Sequence, residues 1–345
     1  MTGPQPCHPL PAEDLHHVLT HTRHLWDEAK GSSFFITGGT GFFGMWLLES
    51  FAHINDALGL GMRATVLTRD PERFRQKAPH LAARRDLDFV AGDVRDFVLP
   101  SGKFRYVVHG ATTSGGPVDN LEMLETIIDG TRRVLELAAT RGTRKFLFIS
   151  SGAVYGKQPD YLSHVPEDYQ GAPDPLDPRS AYGEGKRVGE LFSVLESRKA
   201  GFEAKIARCF AFIGPHLPLD AHFAAGNFIR DALAGGPIKV NSDGKSVRSY
   251  LYASDLAVWL WTILFQGRAA AAYNVGSDEA ISVAELAHTV ANSLQSSVEF
   301  SKSSGSLHST CYAPSIRKAQ NDLKLRGEIS CRDAVLKTAH WTLKQ

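Results

Sequence analysis

Tyr182 and Lys186 stand four residues apart in a stretch whose pattern predicts a helix over 182–199. That spacing puts both side chains on one helix face. A phenol titrates near pH 10 in water, so it needs help to exchange a proton near neutrality. A nearby ammonium supplies such help by favouring the phenolate. Upstream, FISSGAVYG (148–156) reads as a strand ending in hydroxyl residues. There Ser151 can hydrogen-bond the same substrate oxygen as Tyr182. The three side chains suit reversible proton transfer at a carbinol or carbonyl while a hydride moves to or from a nicotinamide. A YxxxK pair alone is also a common surface pattern, so its context decides.

That context is TGGTGFFG (37–44), which follows the apolar run 33–36 and precedes a helix-like stretch from Met45. A strand turning into a glycine loop and then a helix is the frame of a dinucleotide site. Gly38 permits the tight turn, Gly41 lets backbone approach a pyrophosphate, and Gly44 lets helix and strand pack closely. Free N–H groups at the helix start then face the phosphates. Further strands are expected at 64–68, 87–90, 106–109, 146–150 and 205–210, with helices between them, the clearest at 121–140. This rhythm predicts an α/β fold, a doubly wound parallel sheet of Rossmann type. The dinucleotide domain spans 33–210. After about residue 212 glycines and prolines break the rhythm, and 211–345 reads mainly as a smaller substrate lobe interleaved with the sheet. Residues 1–32 form an extension, Pro-rich and disordered over 1–12, then one helix capped by Asp14. His17, His21 and His24 share a face of that helix, read as solvated rather than metal-binding.

The 345 residues carry 38 basic and 37 acidic side chains, so no charge excess points to nucleic acid or an anionic membrane. The longest apolar stretch, 256–265, is too short to span a bilayer, and residues 1–12 show no secretory pattern. The four cysteines are scattered without a CxxC pair, which indicates neither zinc nor a disulfide framework and makes the cytoplasm the default location.

Several segments together resemble the extended short-chain dehydrogenase/reductase family, its nucleotide-sugar epimerase/dehydratase group. They are TGGTGFFG, AGDVRD (91–96), HGAT (109–112), SSGAVYG (150–156), AYGEGKR (181–187), GNFI (226–229), VRSYLYASDL (247–256) and YNVG (273–276), covering about 33–320. The resemblance implies that Ser151, Tyr182 and Lys186 are the catalytic set. It implies a cofactor path through Gly38, Thr40, Gly41, Phe42, Phe43 and Gly44, with Asp93 and Val94 at the adenine and Ala111 and Thr112 further along. Tyr182 and Lys186 would also touch the cofactor. Asn227 and Arg248 would hold the diphosphate of a nucleotide-diphosphate sugar, a role that suits a guanidinium. Their plain readings are a loop residue and a surface ion pair, as a turn-former is for Asp93. A homodimer through two helices is the assembly the resemblance suggests.

Departures from the family pattern narrow the chemistry. Dehydratases of the family place an Asp-Glu pair after the Ser/Thr, where this chain has Gly152 and Ala153. Uronate decarboxylases use a Glu where Ala153 stands and an Arg before a PDI-like segment. Here that segment is Cys311-Tyr312-Ala313-Pro314-Ser315-Ile316, with no Arg at the matching place. Ala211 replaces an Asn that commonly bonds substrate. What remains suffices for hydride transfer at a hexose ring carbon, C4 foremost, as an epimerase or a ketoreductase. A 4,6-dehydratase or glucuronate-type decarboxylase is the alternative if Glu167 or Asp168 supplies the missing acid. A dinucleotide-sensing regulatory protein is the non-enzyme alternative, disfavoured by the intact proton relay. At the end of the second strand, Thr68 stands where an acid would bind the ribose of NAD, and Arg69 follows. The cation favours NADP, while Asp70 keeps NAD open.

Overall fold

The computed structural model describes residues 6–112, 119–221, 223–301 and 310–345. Seven strands form the central sheet: β1 (Ser33–Thr37), β2 (Arg63–Thr68), β3 (Leu87–Ala91), β4 (Tyr106–His109), β5 (Lys145–Ser151), β6 (Glu203–Cys209) and β7 (Ala271–Val275). All pair in parallel, in the order β7-β6-β5-β4-β1-β2-β3. Side chains alternate along each strand. Phe34 and Ile36 therefore enter one core with Trp46, Phe51 and Trp261, while Phe35 enters a second with Val107, Val134 and Phe146. Two apolar faces on a parallel sheet need helices on both sides.

On one side lie α1 (Ala12–Thr22), α2 (Phe42–Leu58) and α6 (Ala253–Gln266); on the other, α3 (Asn120–Thr140) packs against α4 (Ala181–Ala200). The apolar stretch noted in the sequence is α6. Every residue from Ala253 to Phe265 is buried, as a helix with apolar side chains on all its faces in a globular protein must be. No helix among the described residues is long and apolar enough to cross a membrane.

The strand order reverses between β4 and β2, on either side of β1, which makes the β1–β4 crevice the topological switch point where open α/β sheets bind ligands. The glycine loop stands there. A Cβ on Gly38 would lie 2.6 Å from the Gly110 carbonyl carbon, and Gly38 adopts φ +75°. Only glycine serves both demands.

Several expectations change. β7 lies beyond residue 210 yet extends the central sheet; its Ala-Ala-Tyr-Asn-Val sequence lacks a clear strand pattern because buried Asn274 satisfies its amide on Val165 and Ser315. Of the remaining short strands, Ala211–Ile213, Val247–Tyr252, Ala280–Ser282 and Cys311–Tyr312 form a second sheet, and Ile238–Val240 pairs with Val298–Phe300 in a third. Asp14 is not a cap: the N-cap is Pro11, and the buried Asp14 carboxylate accepts from the Tyr252 hydroxyl at 2.6 Å and from Lys337 at 2.9 Å. His17 is not merely solvated, since it binds Asp255 of α6 at 2.8 Å. The disorder expected over 1–12 does not hold for residues 6–12. Cys7 N–H donates to Lys77 O, and Leu10 N–H donates to the Glu49 carboxylate at 2.7 Å. Residues 1–5 lie outside the described residues.

Candidate active site

β5 ends at Ser151, and α4 begins one residue before Tyr182. The first turn of α4 therefore lies beside the carboxyl end of β5. Ser151 is buried and caps a short turn by accepting from Ala153 N–H at 3.1 Å. Lys186 is 2 % exposed, donates to Ile149 O at 2.8 Å, and holds its ammonium 5.8 Å from the Tyr182 ring centre. Burial pulls its pKa down to about 8. Burial likewise raises the Tyr182 phenol, against the opposing pull of the Ser151 hydroxyl. The expected lowering of the phenol is therefore not found: desolvation outweighs the Ser151 hydrogen bond, and Tyr182 stands as a proton donor.

The Thr37 hydroxyl bonds His109 Nδ1 at 2.7 Å and accepts from Ala111 N–H at 3.2 Å, and His109 Nε2 meets Thr131 at 3.1 Å. This chain fixes the crevice floor between β1 and β4. Burial, seconded by Lys186, pushes the His109 pKa down to about 3, so the imidazole is neutral. The Thr112 hydroxyl is buried without a partner among the described residues.

Gly41 is the N-cap of α2, with no side-chain cap, and Phe42 and Phe43 open the helix. Phe43 packs edge-on against Phe212, 5.0 Å between centres. A Cβ on Gly44 would sit 2.2 Å from Gly39 backbone, so close packing excludes any side chain. Thr40 presents its carbonyl to Lys77 Nζ at 3.0 Å. At the end of β3, Asp93 is held by Arg95 at 2.8 Å, and that bond, assisted by Arg69, keeps its carboxyl low. Its neighbour Val94 packs on Gly130 of α3. Arg69 is exposed beyond β2.

Arg248 and Asn227 are not hydrogen-bonded to each other. Arg248 donates to Thr310 O at 2.9 Å and to the Thr310 hydroxyl at 3.0 Å. Asn227, on helix α5 (Ala224–Leu233), lines a groove of about 650 Å³ that also includes Ser246, just before the strand that carries Arg248. Ala211, in place of the expected Asn, opens a strand paired with Val247–Tyr252.

Sequence reasoning missed two neighbours of Ser151. The Tyr312 hydroxyl lies 3.5 Å from Ser151 Oγ and 3.5 Å from Cys209 O, and its ring packs on Phe210 at 4.6 Å. Its strand is pinned by Gln158, which accepts from Ala313 N–H, and by the bridge Val165–Pro314. A Cβ on Gly152 would lie 2.7 Å from both the Phe210 ring and the Tyr312 hydroxyl. The place where a carboxylate side chain would start is thus filled by aromatic rings. Only the 311–316 segment hinted at this, through what it lacked. Glu167 is half-buried, with its pKa raised by burial, and accepts from Asn274 N–H at 2.9 Å, not from Ser151 or Tyr182. Behind the site, buried Glu190 joins the Ser150 hydroxyl (2.6 Å) to Arg208 (2.7 Å).

Comparison with known proteins agrees with this arrangement. The sequence model of the "NAD dependent epimerase/dehydratase family" matches residues 34–276. The chain is 30% identical over 305 residues to UDP-glucuronic acid decarboxylase 1 of Arabidopsis thaliana, covering 87% of this chain and 67% of that protein. Among solved structures, dTDP-glucose 4,6-dehydratase from Streptomyces venezuelae with NAD bound is 25% identical, with TM-score 0.75 over 91% of this chain and 97% of that one. UDP-glucose 4-epimerase from Thermotoga maritima, at 20% identity, has TM-score 0.75 over 90% and 99%. The chain therefore belongs to the NAD dependent epimerase/dehydratase family, enzymes of the extended short-chain dehydrogenase/reductase type that use NAD(P).

Proposed function

We propose that the protein interconverts hydroxyl and keto forms at a ring carbon, C4 foremost, of a nucleotide-diphosphate hexose, yielding an epimer or a reduced sugar. The observation that carries this reading is the environment of Ser151. Ser151, Tyr182 and Lys186 stand together, while Gly152 has aromatic groups 2.7 Å from where a Cβ would be. Proton transfer at an oxygen is provided for; an acid–base pair for elimination is not.

The dinucleotide fits the cradle. The start of α2 has no side-chain cap, a Cβ on Gly41 would meet only Gly38 O within 4 Å among the described residues, and the buried Thr112 hydroxyl has no partner among them. The loop Gly38–Gly44 would hold the pyrophosphate, Asp93 and Val94 the adenine end, and Ala111 and Thr112 the path toward Tyr182 and Lys186. Bound there, the cofactor supplies or takes the hydride. Tyr182 donates the proton to the carbonyl oxygen or recovers it from the alcohol, with Ser151 bonding the same oxygen. Lys186 places positive charge beneath the phenol. Arg248 and Asn227 would hold the diphosphate, which requires Arg248 to exchange part of its grip on Thr310 for phosphate oxygens.

NADP is the cofactor this reading favours, since Asp70 turns one carboxylate oxygen to Arg73 N–H at 2.8 Å as a helix cap and Arg69 is exposed beside it. The second reading is decarboxylation, supported by the names of the sequence relatives, UDP-glucuronic acid decarboxylases. The deciding experiment is product mass after incubation with UDP-, GDP-, CDP- and dTDP-hexoses and uronates. Unchanged mass with altered stereochemistry, or a gain of two hydrogens, supports the proposal. Loss of water or carbon dioxide overturns it.

A further inference from the structure

Lys77 ends the helix Pro71–Lys77, which follows β2 directly. Its ammonium donates to the Thr40 carbonyl, inside the glycine loop, at 3.0 Å. Among the described residues no carboxylate forms an ion pair with it; the Cys7 thiol and Arg73 act on it electrostatically, and it acts in turn on His216. The side chain is partly buried, and desolvation holds its pKa below the usual lysine value. A partly desolvated cation without a counter-charge is costly, and an anion beside it removes the cost. The helix end that carries it is fixed from outside, because Cys7 N–H of the N-terminal segment donates to Lys77 O at 2.8 Å.

Its surroundings say which anion. The pyrophosphate position lies over the start of α2, where Gly41 and the first helical N–H groups face outward. Lys77 reaches the loop from the other side, that of β2, whose end reads the adenosine ribose in folds of this architecture. At the end of β2 itself stands Thr68 instead of an acid, and the acid two residues on, Asp70, uses one carboxylate oxygen on the helix that follows. Thr68 is buried and accepts from Asp70 N–H, and Asp70 caps the helix.

We propose that Lys77 determines cofactor specificity. Its ammonium, tethered to Thr40, pairs with the 2′-phosphate of NADP and makes the site prefer NADP to NAD. This rests on the reading of the glycine loop as a dinucleotide site, but not on any sugar substrate.

The test is calorimetric titration of the full chain, stripped of nucleotide, with NADP⁺, NAD⁺, 2′,5′-ADP and 5′-AMP. The parent protein binds NADP⁺ more tightly than NAD⁺, and 2′,5′-ADP more tightly than AMP. Lys77→Met weakens NADP⁺ and 2′,5′-ADP by about 10- to 100-fold, the scale of one charge-assisted contact, and NAD⁺ less than threefold. Lys77→Arg keeps the preference. Equal loss for both dinucleotides in Lys77→Met means that Lys77 only props the loop, and overturns the proposal. So does an intact NADP⁺ preference in that variant, which assigns the phosphate to other residues. A parent that prefers NAD⁺ overturns the proposal and leaves the dinucleotide site standing. A parent that binds neither removes both.

Discussion

At the scale of single residues, the proton donor is Tyr182. Its hydroxyl is kept protonated by burial and is bracketed by Ser151 and Lys186. Tyr182→Phe removes one oxygen and no ring. We expect turnover of the nucleotide sugar to fall about 10²–10⁴-fold while dinucleotide affinity changes little, checked by steady-state kinetics beside calorimetric titration. Near-parental turnover would assign the proton to another group. The Ser/Tyr/Lys set was legible in the sequence because two of its members are four residues apart on one helix and the third ends a strand just upstream. Tyr312 and Phe210 were not legible. Tyr312 is 161 residues from Ser151, and nothing local to Cys311–Ile316 says that its ring will fill the space over Gly152. The sequence showed only that an Arg was missing, not that a phenol had taken up the room.

At the scale of elements, Lys186 ties α4 to β5 through Ile149 O. That tie holds a charge inside the protein. In the folded protein the ammonium titrates at about 8, against the ordinary lysine value of 10.5. The unfolded chain therefore binds more protons than the folded one between those values, and stability gained from this group rises with pH across that window. Below pH 8 the full penalty is present. Lys186→Met lacks it, so the stability difference between variant and parent should shift in the parent's favour as pH rises from about 8 to about 10.5. Urea midpoints at several pH values measure this; a pH-independent difference would mean that Lys186 titrates in the folded protein as it does in the unfolded chain. The parallel strands β1 to β6 were legible from apolar runs at regular spacing. β7 was not, because it pairs at the far edge beside β6 and carries an Asn whose burial depends on partners at 165 and 315. The cap assigned to Asp14 failed for a similar reason. Its partners, Tyr252 and Lys337, are distant in sequence, and burial with two bonds outweighs the local preference for a cap.

At the scale of the whole molecule, α4 leaves Leu191 and Leu195 exposed at 57% and 52%, one turn apart on the same face. This face lies on the α3–α4 layer, the side away from α6, and is where a second copy would bury apolar surface. The expected result is a homodimer in light scattering. The double variant Leu191→Asp, Leu195→Asp should run as a monomer with its thermal transition lowered. A parent monomer at micromolar concentration would remove the dimer.

The N-terminal segment and the last helix, Cys331–Thr342, hold each other. Trp341 donates to Pro9 O at 3.1 Å, and Lys337 bonds Asp14 across 323 residues and Glu13 as well. During synthesis, Asp14 emerges from the ribosome long before the lysine that neutralises it. At about 5–20 residues per second the interval is on the order of half a minute. Over that interval α1 cannot bury its carboxylate beside Lys337, so the helix covering α6 must wait or dock unpaired. The sheet can assemble first, with the apolar surface of α6 open on one side. Trp261, whose ring packs on Trp26 just after α1, then lacks that cover until the N-terminal segment docks.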